Sequence, residues 1–334
     1  MNFLPPEVQL DIFKCLNFTQ LLNVQQTNFY FKNFINKYEQ ELARKKCHKL
    51  LFSYIHWKRL NHDEFYKPEP KLYDFQLSEE LENKWKYGIK KSIPLYFSDN
   101  SRRMHTAICS ILDHESGQDF YLNLPNFQEN IEEMKIVRYL FQQLIKCAFE
   151  YVNFGIITFN SQMIELLFDE NKTNIPLQFH SQKAKIYIFK EHFEYSHKFI
   201  LNHICSNEVL INAHEVNHIE QYINNLIKLL TDGGNKFPFI CYEYHSSKYY
   251  NLIIQHIETS KNLSKMVKRI DFDTIREPLS LSKQAENIEI NVNNRNLKST
   301  KYQLSNKNNP EIKFSIHINE KYESSFYVEI KRIN

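Results

Sequence analysis

Glycine and proline are scarce, 5 and 10 among 334 residues, which excludes a collagen-like, linker-rich or turn-dense sandwich chain. No apolar run approaches the roughly 20 residues that a membrane helix needs. The opening stretch from Met1 to Glu7 carries no basic n-region, so the expectation is a chain of the cytoplasm or nucleus with no membrane contact. Six cysteines, Cys15, Cys47, Cys109, Cys147, Cys205 and Cys241, are scattered without a C-x-x-C pair. Buried thiols in a reducing compartment are expected of them. Neither sign of charge dominates, with 42 Lys plus Arg against 39 Asp plus Glu. The short basic runs Arg44-Lys45-Lys46 and Lys90-Lys91 stand singly between apolar stretches, the pattern of solvated faces rather than of a nucleic-acid patch. A glycine-rich phosphate loop and a G-x-S-x-G are also missing, which removes the commonest nucleotide and hydrolase signatures.

Apolar and aromatic surface is abundant: 42% of residues are hydrophobic, including 26 Phe and 20 Tyr. Burying it can offset the entropy of ordering the chain. At about 100 to 200 residues per core, the length allows two or three domains. Residues 5–16 predict a helix, because Pro5 or Pro6 suits a first helical position and Val8, Ile12 and Leu16 recur every four residues. Leu10 and Phe13 add a second apolar stripe. A short segment from Thr19 to Val24 carries Leu21 and Leu22. Thr27 or Asn28 can then cap a third helix with Phe31, Phe34, Ile35 and Tyr38 on one face. Three short helices cannot hide all these side chains against one another, so some must face another surface.

Residues 39–60 continue basic and are expected to be helical in part. Lys67-Pro68-Glu69-Pro70 marks a break, Ser78 followed by Glu79 and Glu80 opens a helix to about Lys90, and residues 105–124 predict a hairpin around His114-Glu115-Ser116-Gly117. From about residue 129 the chain alternates. A long helix carries Met134, Val137, Leu140, Phe141, Leu144, Ile145 and Ala148. Short apolar runs follow at Ile156–Phe159, Ile186–Phe189, Val209–Ile211, Phe239–Tyr242 and Val267–Phe272. Helical patterns lie between them, one from Ile219 to Leu230 closed by Gly233-Gly234 and one with Tyr250, Ile253, Ile254 and Ile257 on one face. This mixed α/β alternation fits either a parallel sheet or an irregular leucine-rich-repeat-like solenoid, although the consensus L-x-x-L-x-L is not visible. Beyond residue 285 the chain is polar, yet alternation at Ile312, Phe314, Ile316 and Ile318, and again at Phe326, Val328 and Ile330, predicts a terminal β-hairpin at the sheet edge.

Leu4-Pro5, Glu7, Val8, Ile12, Phe13, Leu16, the pair Leu21-Leu22 and Val24, with Phe29, Phe31 and Phe34 as candidates for an aromatic in the third helix, follow a pattern that resembles the F-box. The resemblance covers residues 3–38. It implies a three-helix module at 1–40 that docks on a Skp-type linker through Leu4, Pro5, Glu7, Val8, Ile12, Phe13, Leu16, Leu21, Leu22 and Phe34, and through that linker on a cullin-RING ubiquitin ligase. Residues 41–128 would connect this module to an α/β body at 129–334, which is similar in texture to bodies carried by lineage-expanded F-box families. Such a body would capture a protein substrate. The chain would then be an adaptor without catalytic residues, cofactor or metal, acting either in degradation or as a scaffold.

The competing motif is His214-Glu215-Val216-Asn217-His218, which matches H-E-x-x-H and on a helix would offer two zinc ligands and a general base. Its metzincin extension fails, since Gln221 stands at the glycine position and Asn224 at the third histidine position. A polar first turn of an amphipathic helix explains the same string. Cys47-His48 and the histidines His192, His197 and His203 have no acid partner that the sequence places, and ordinary packing is expected of them.

Overall fold

The computed structural model describes residues 4–39, 41–53, 65–98, 106–113, 118–168, 177–213, 220–243, 245–293, 297–321 and 325–333. Three short helices come first: α1 (Pro6–Lys14), α2 (Phe18–Thr27) and α3 (Phe29–Lys37). Proline at the start of α1 costs no hydrogen bond. Asn17 and Gln20 form a reciprocal capping box on α2, and the Asn28 side chain accepts from the Phe31 N–H to start α3. The chain then turns and enters β1 (Lys45–Ser53), so the described part of the stretch expected to be partly helical is a turn and a strand. After α4 (Pro70–Tyr73) and α5 (Glu79–Lys90), capped by Ser78 as its sequence predicts, come β2 (Tyr96–Ser98) and the antiparallel pair β3 (Thr106–Asp113) and β4 (Gln118–Pro125). That pair is the expected hairpin; its turn, His114 to Gly117, lies outside the described residues.

Helix α6 (Ile131–Ile145) buries Met134, Val137, Leu140, Phe141, Leu144 and Ile145. It stops before Ala148, which belongs instead to β5 (Cys147–Asn153). The elements that follow are β6 (Ile157–Phe159), α7 (Ser161–Leu167), β7 (Phe179–Tyr187), α8 (Phe193–His203), β8 (Ile204–Asn212), α9 (Glu220–Asp232), β9 (Phe239–Tyr242), α10 (Ser247–Thr259) and β10 (Arg269–Ile275). The polar tail supplies β11 (Glu286–Val292), β12 (Lys298–Ser305), β13 (Lys313–Lys321) and β14 (Ser325–Ile333). The expected terminal hairpin is β13 with β14, and β14 joins β10. Strands β11 and β12 extend it, where the sequence had shown only polar chain.

Twelve strands form one sheet in the order β11-β12-β13-β14-β10-β9-β8-β7-β5-β1-β3-β4, and β2 pairs β6 in a separate two-stranded sheet. At its centre β1, β5, β7, β8, β9 and β10 run parallel and lie side by side in chain order. Antiparallel strands extend both ends. The segment 41–128 therefore lends β1, β3 and β4 to the same sheet as the body. A chain that steps the same way at each right-handed crossover carries its helices to one face of the sheet. Burial agrees: Phe149 and Val152, Ala184 and Ile186, and Val209 and Ile211 are buried, while Tyr151, Lys183, Lys185 and Glu208 between them are not.

The inward positions repeat with one spacing. Cys47, Leu50 and Phe52 are followed on the next strands by Phe149, Val152 and Phe154, by Ser181, Ala184 and Ile186, and by Ser206, Val209 and Ile211. Phe237, Ile240 and Tyr242, then Val267, Ile270 and Phe272, complete the series. All are buried except the half-buried Ser181, whose hydroxyl donates to Ser206 Oγ at 2.9 Å. This is the φ-x-x-φ-x-φ spacing that small residues hid in the sequence. Behind the strands Phe52, Phe154, Phe159, Phe179 and Phe199 pack as stacked and edge-on rings at centroid distances of 5.0 to 6.4 Å. Such aromatic contacts add to the area they bury. Gly155, at φ +57°, turns the chain out of β5 where a Cβ would stand 2.3 Å from the Phe52 carbonyl oxygen, so only glycine fits.

Candidate functional site

Two surfaces stand out, one on the helical bundle and one on the bare face of the sheet. The bundle has a core of its own: Phe13, Leu21, Phe34, Ile35 and Leu42 are buried, with Phe13 set edge-on to Phe31 and Phe34 at 5.7 and 5.6 Å. Of the residues the F-box resemblance singles out, Phe13, Leu21 and Phe34 thus hold the bundle together. Ile12 and Leu16 are half-buried against that core. Leu4, Pro5, Glu7, Val8 and Leu22 lie on the surface, joined there by Tyr30 and by Phe29, which is 75% exposed.

One buried polar residue organises this surface, and the sequence had given no signal for it. Gln9 donates from Nε2 to the Leu4 carbonyl at 2.7 Å and accepts from the Tyr30 hydroxyl at 3.0 Å. It thereby ties the segment before α1 to α3 and fixes Leu4 near the N-terminal turn that carries Val8. Burial of both amide ends is satisfied, so the clamp costs little. Polar contacts join bundle and body: Lys146 pairs with Glu39 at 3.1 Å, and Arg44 Nη1 donates to the Ile145 carbonyl at 2.6 Å.

The bare face of the sheet is polar and largely neutralised by its own pairs. Lys183 meets Glu208 at 2.9 Å across β7 and β8, and Lys185 meets Glu243 at 2.5 Å, with Asn212 donating to the same carboxylate at 2.7 Å. On β10 Arg269 holds Asp271 with two hydrogen bonds of 2.9 and 2.7 Å, reaches Glu329 at 2.7 Å and covers the Phe239 ring at 4.6 Å. Its bonds to the Asp271 carboxylate hold its pKa above the ordinary arginine value. The Tyr327 hydroxyl donates to Asp271 at 2.5 Å. Alternating polar residues such as Lys183, Lys185 and Tyr187 were the sequence trace of this face.

A cleft of about 530 Å³ opens where β1, β5, β7 and β8 begin, lined in part by Lys46, His48, Glu150, His180, Asn207 and Lys236. His48 Nδ1 lies 2.5 Å from Glu150 Oε2. Burial, helped by the charge of Arg44, lowers the His180 pKa to about 4, so its ring is neutral at pH 7. Lys236 donates to the Leu201 carbonyl, and burial lowers its pKa. Burial also pushes the Cys205 thiol up, which keeps it protonated and a poor nucleophile. The chemistry offered here is hydrogen bonding and charge, suited to holding a ligand.

His214 to His218 lie outside the described residues. Among the described residues no group of three His, Cys, Asp or Glu is placed to hold a metal ion. His192 donates from Nε2 to the Ser98 carbonyl at 3.1 Å and stacks on Phe97, His203 donates from Nδ1 to the Leu177 carbonyl at 2.8 Å, and His197 is half-buried on α8. None of the six cysteines is in a disulfide: Cys47 and Cys109 are buried as expected, Cys15 is exposed, and the other three are intermediate. No helix among the described residues is long and apolar enough to cross a membrane.

A family described as a domain of unknown function (DUF8381) matches residues 66–215. The match runs from ahead of α4 to just past β8 and leaves the helical bundle, β1 and the elements from α9 onward outside. No F-box family matches the chain. No curated protein matches it, and no solved structure does.

Proposed function

We propose that the chain is a substrate-recruiting adaptor of the F-box type, in which the bundle of α1 to α3 docks on a Skp-type linker and the sheet body captures a protein. The observation that carries this reading is the bundle's division into a private core and an uncovered apolar set, Leu4, Val8, Leu22, Phe29 and Tyr30. A module this small leaves apolar surface to spend on a partner. Pro5 and Glu7 lie exposed beside it, in the order the F-box pattern has them. Transfer of ubiquitin would fall to the other subunits of a cullin-RING ligase, and the adaptor itself would need no cofactor.

Support for capture by the body comes from the parallel strands in chain order and the φ-x-x-φ-x-φ spacing, which is the L-x-x-L-x-L pattern of leucine-rich repeats with smaller residues at several positions. Stacked repeats of that kind present a broad exposed strand face for binding. The bare face with Lys183, Glu208, Arg269 and Tyr327, and the cleft beneath it, would be the substrate surface. A calorimetric titration of the full chain with a purified Skp-type linker tests the docking half. Binding in the micromolar range or tighter is expected. The combined change Leu4→Ala, Val8→Ala and Leu22→Ala, all at exposed positions, should weaken it by about thirtyfold or more while the thermal transition stays put. Absence of binding by the unaltered chain, or an unchanged affinity in the variant, would remove the reading.

A further inference from the structure

The two edges of the twelve-stranded sheet are treated differently. At β4 the chain folds back over the edge: Phe65 bridges Tyr121, and the Tyr66 N–H donates to the Tyr121 carbonyl at 2.8 Å. At the other edge β11 has all seven residues exposed, and no strand among the described residues covers its outer side. Ile288, Ile290 and Val292 are 49%, 52% and 61% exposed. The strand reads Glu-Asn-Ile-Glu-Ile-Asn-Val, with neither a lysine nor a proline of the sort that blunts open edges, and its one bulge, at Asn287 with φ +52°, lies at its start, ahead of Ile290 and Val292.

Backbone direction makes this edge specific. The Asn293 N–H donates to the Leu297 carbonyl at 3.1 Å, and Asn291 pairs with Ser299 and Glu289 with Lys301. Alternate residues of a strand direct their backbone groups to opposite sides. Asn293, Asn291 and Glu289 therefore bond inward to β12, while Ile290 and Val292 point their N–H and carbonyl groups at the free edge, and Ile288, next to the register shift at Asn287 (φ +52°), points its carbonyl there. The three residues with open hydrogen-bonding groups are the same three with exposed β-branched side chains. Those side chains share the helix-bearing face, since Ile290 lies opposite the buried Thr300. Helix α10 covers the neighbouring strand, where the Tyr250 and Tyr302 hydroxyls meet at 2.7 Å; β11 itself is left bare.

We propose that β11 pairs antiparallel, edge to edge, with β11 of a second copy of this chain, about a two-fold axis through Ile290. In that register Ile290 faces its own counterpart and Ile288 faces Val292 of the other copy, with about four to six new backbone hydrogen bonds. Glu289 lies opposite Asn291 of the other copy. Centring on Glu289 instead would bring two carboxylates about 4.5 Å apart at the Cα level, which like charges disfavour. Centring on Asn291 would carry Ile288 past the end of the opposing strand. Charge and hydrogen-bond pattern thus select one self-complementary register, and an isologous contact of this kind closes as a dimer.

Sedimentation equilibrium of the full chain at tens of micromolar should return the mass of two chains. Ile290→Lys, which sets two ammonium groups face to face at the axis, should return the mass of one with an unchanged circular dichroism spectrum. Register is read by cross-linking in a Cys15→Ser background. A hydrogen-bonded antiparallel pair holds its Cα atoms about 5.5 Å apart, within the range a disulfide spans. Ile290→Cys alone should therefore oxidise to a linked dimer. Ile288→Cys and Val292→Cys should link only when the two variants are mixed. A monomeric unaltered chain, or self-linking of Ile288→Cys as efficient as that of Ile290→Cys, would overturn the proposal.

Discussion

The helical bundle and the sheet body solve the same problem of apolar excess in opposite ways. In the bundle five buried residues make the core, and an equal set of large apolar side chains, Leu4, Val8, Leu22, Phe29 and Tyr30, faces outward. In the body the helices cover one face of the sheet, and the other is furnished with charges that pair among themselves, such as Lys185 with Glu243 and Arg269 with Asp271. A surface rich in uncovered carbon is suited to a lasting contact. One whose charges are already paired is suited to discrimination, because a ligand must match or displace those pairs. Under the proposed function, attachment falls to the first part and selection to the second.

The largest expected effect separates the two cores. Phe154 sits fully buried among Phe52, Phe159, Phe179 and Phe199, and Phe154→Ala should cost the body about 3 to 5 kcal/mol. Phe13→Ala should remove a comparable amount from the bundle, whose small core cannot absorb it. Chemical denaturation followed by the Trp85 fluorescence in a Trp57→Phe background, which reports the body, should shift strongly for the first variant and little for the second. Equal shifts would mean that the two regions unfold as one.

Acid should divide the regions as well. His203 is buried with Nδ1 bonded to the Leu177 carbonyl, and burial lowers its pKa to about 4. Since the folded value lies below the 6.5 of the free side chain, the unfolded chain takes up the proton first. Its contribution to stability is full above about pH 6.5 and is lost as the pH falls toward 4, a change of about 2 to 4 kcal/mol. His180 acts in the same direction. The bundle, residues 4–39, contains no histidine. Thermal melts between pH 7 and 4 should therefore show the body softening, and His203→Asn, which keeps a donor near the Leu177 carbonyl, should flatten that slope. A slope unchanged by the substitution would assign the acid sensitivity elsewhere.

Much of the helical structure was legible in the sequence because one buried face repeats every three to four residues. Helices α6 and α10 follow their apolar spacing, and α5 begins at the cap Ser78 supplies. Strands were legible only where their apolar residues cluster. In β1 the lysines at 45, 46 and 49 hid an inward set of Cys47, Leu50 and Phe52, and β11, exposed throughout, has no buried face to reveal it. The repeat was masked because Ser181, Ala184 and Ser206 take positions where large aliphatic residues would have announced it. For the candidate docking surface the sequence supplied a segment without its sidedness. Which of Leu4, Val8, Phe13, Leu21 and Leu22 faces out depends on how the helices cross, and on the Gln9 clamp that joins α1 to α3.

Hydrogen exchange of the full chain, with and without a Skp-type linker, tests the division of labour most directly. The account predicts new protection confined to the segment from Leu4 to Lys37, with the strands β5 to β10 exchanging as in the free chain. Protection appearing on those strands, or no change anywhere at linker concentrations in the tens of micromolar, would contradict it.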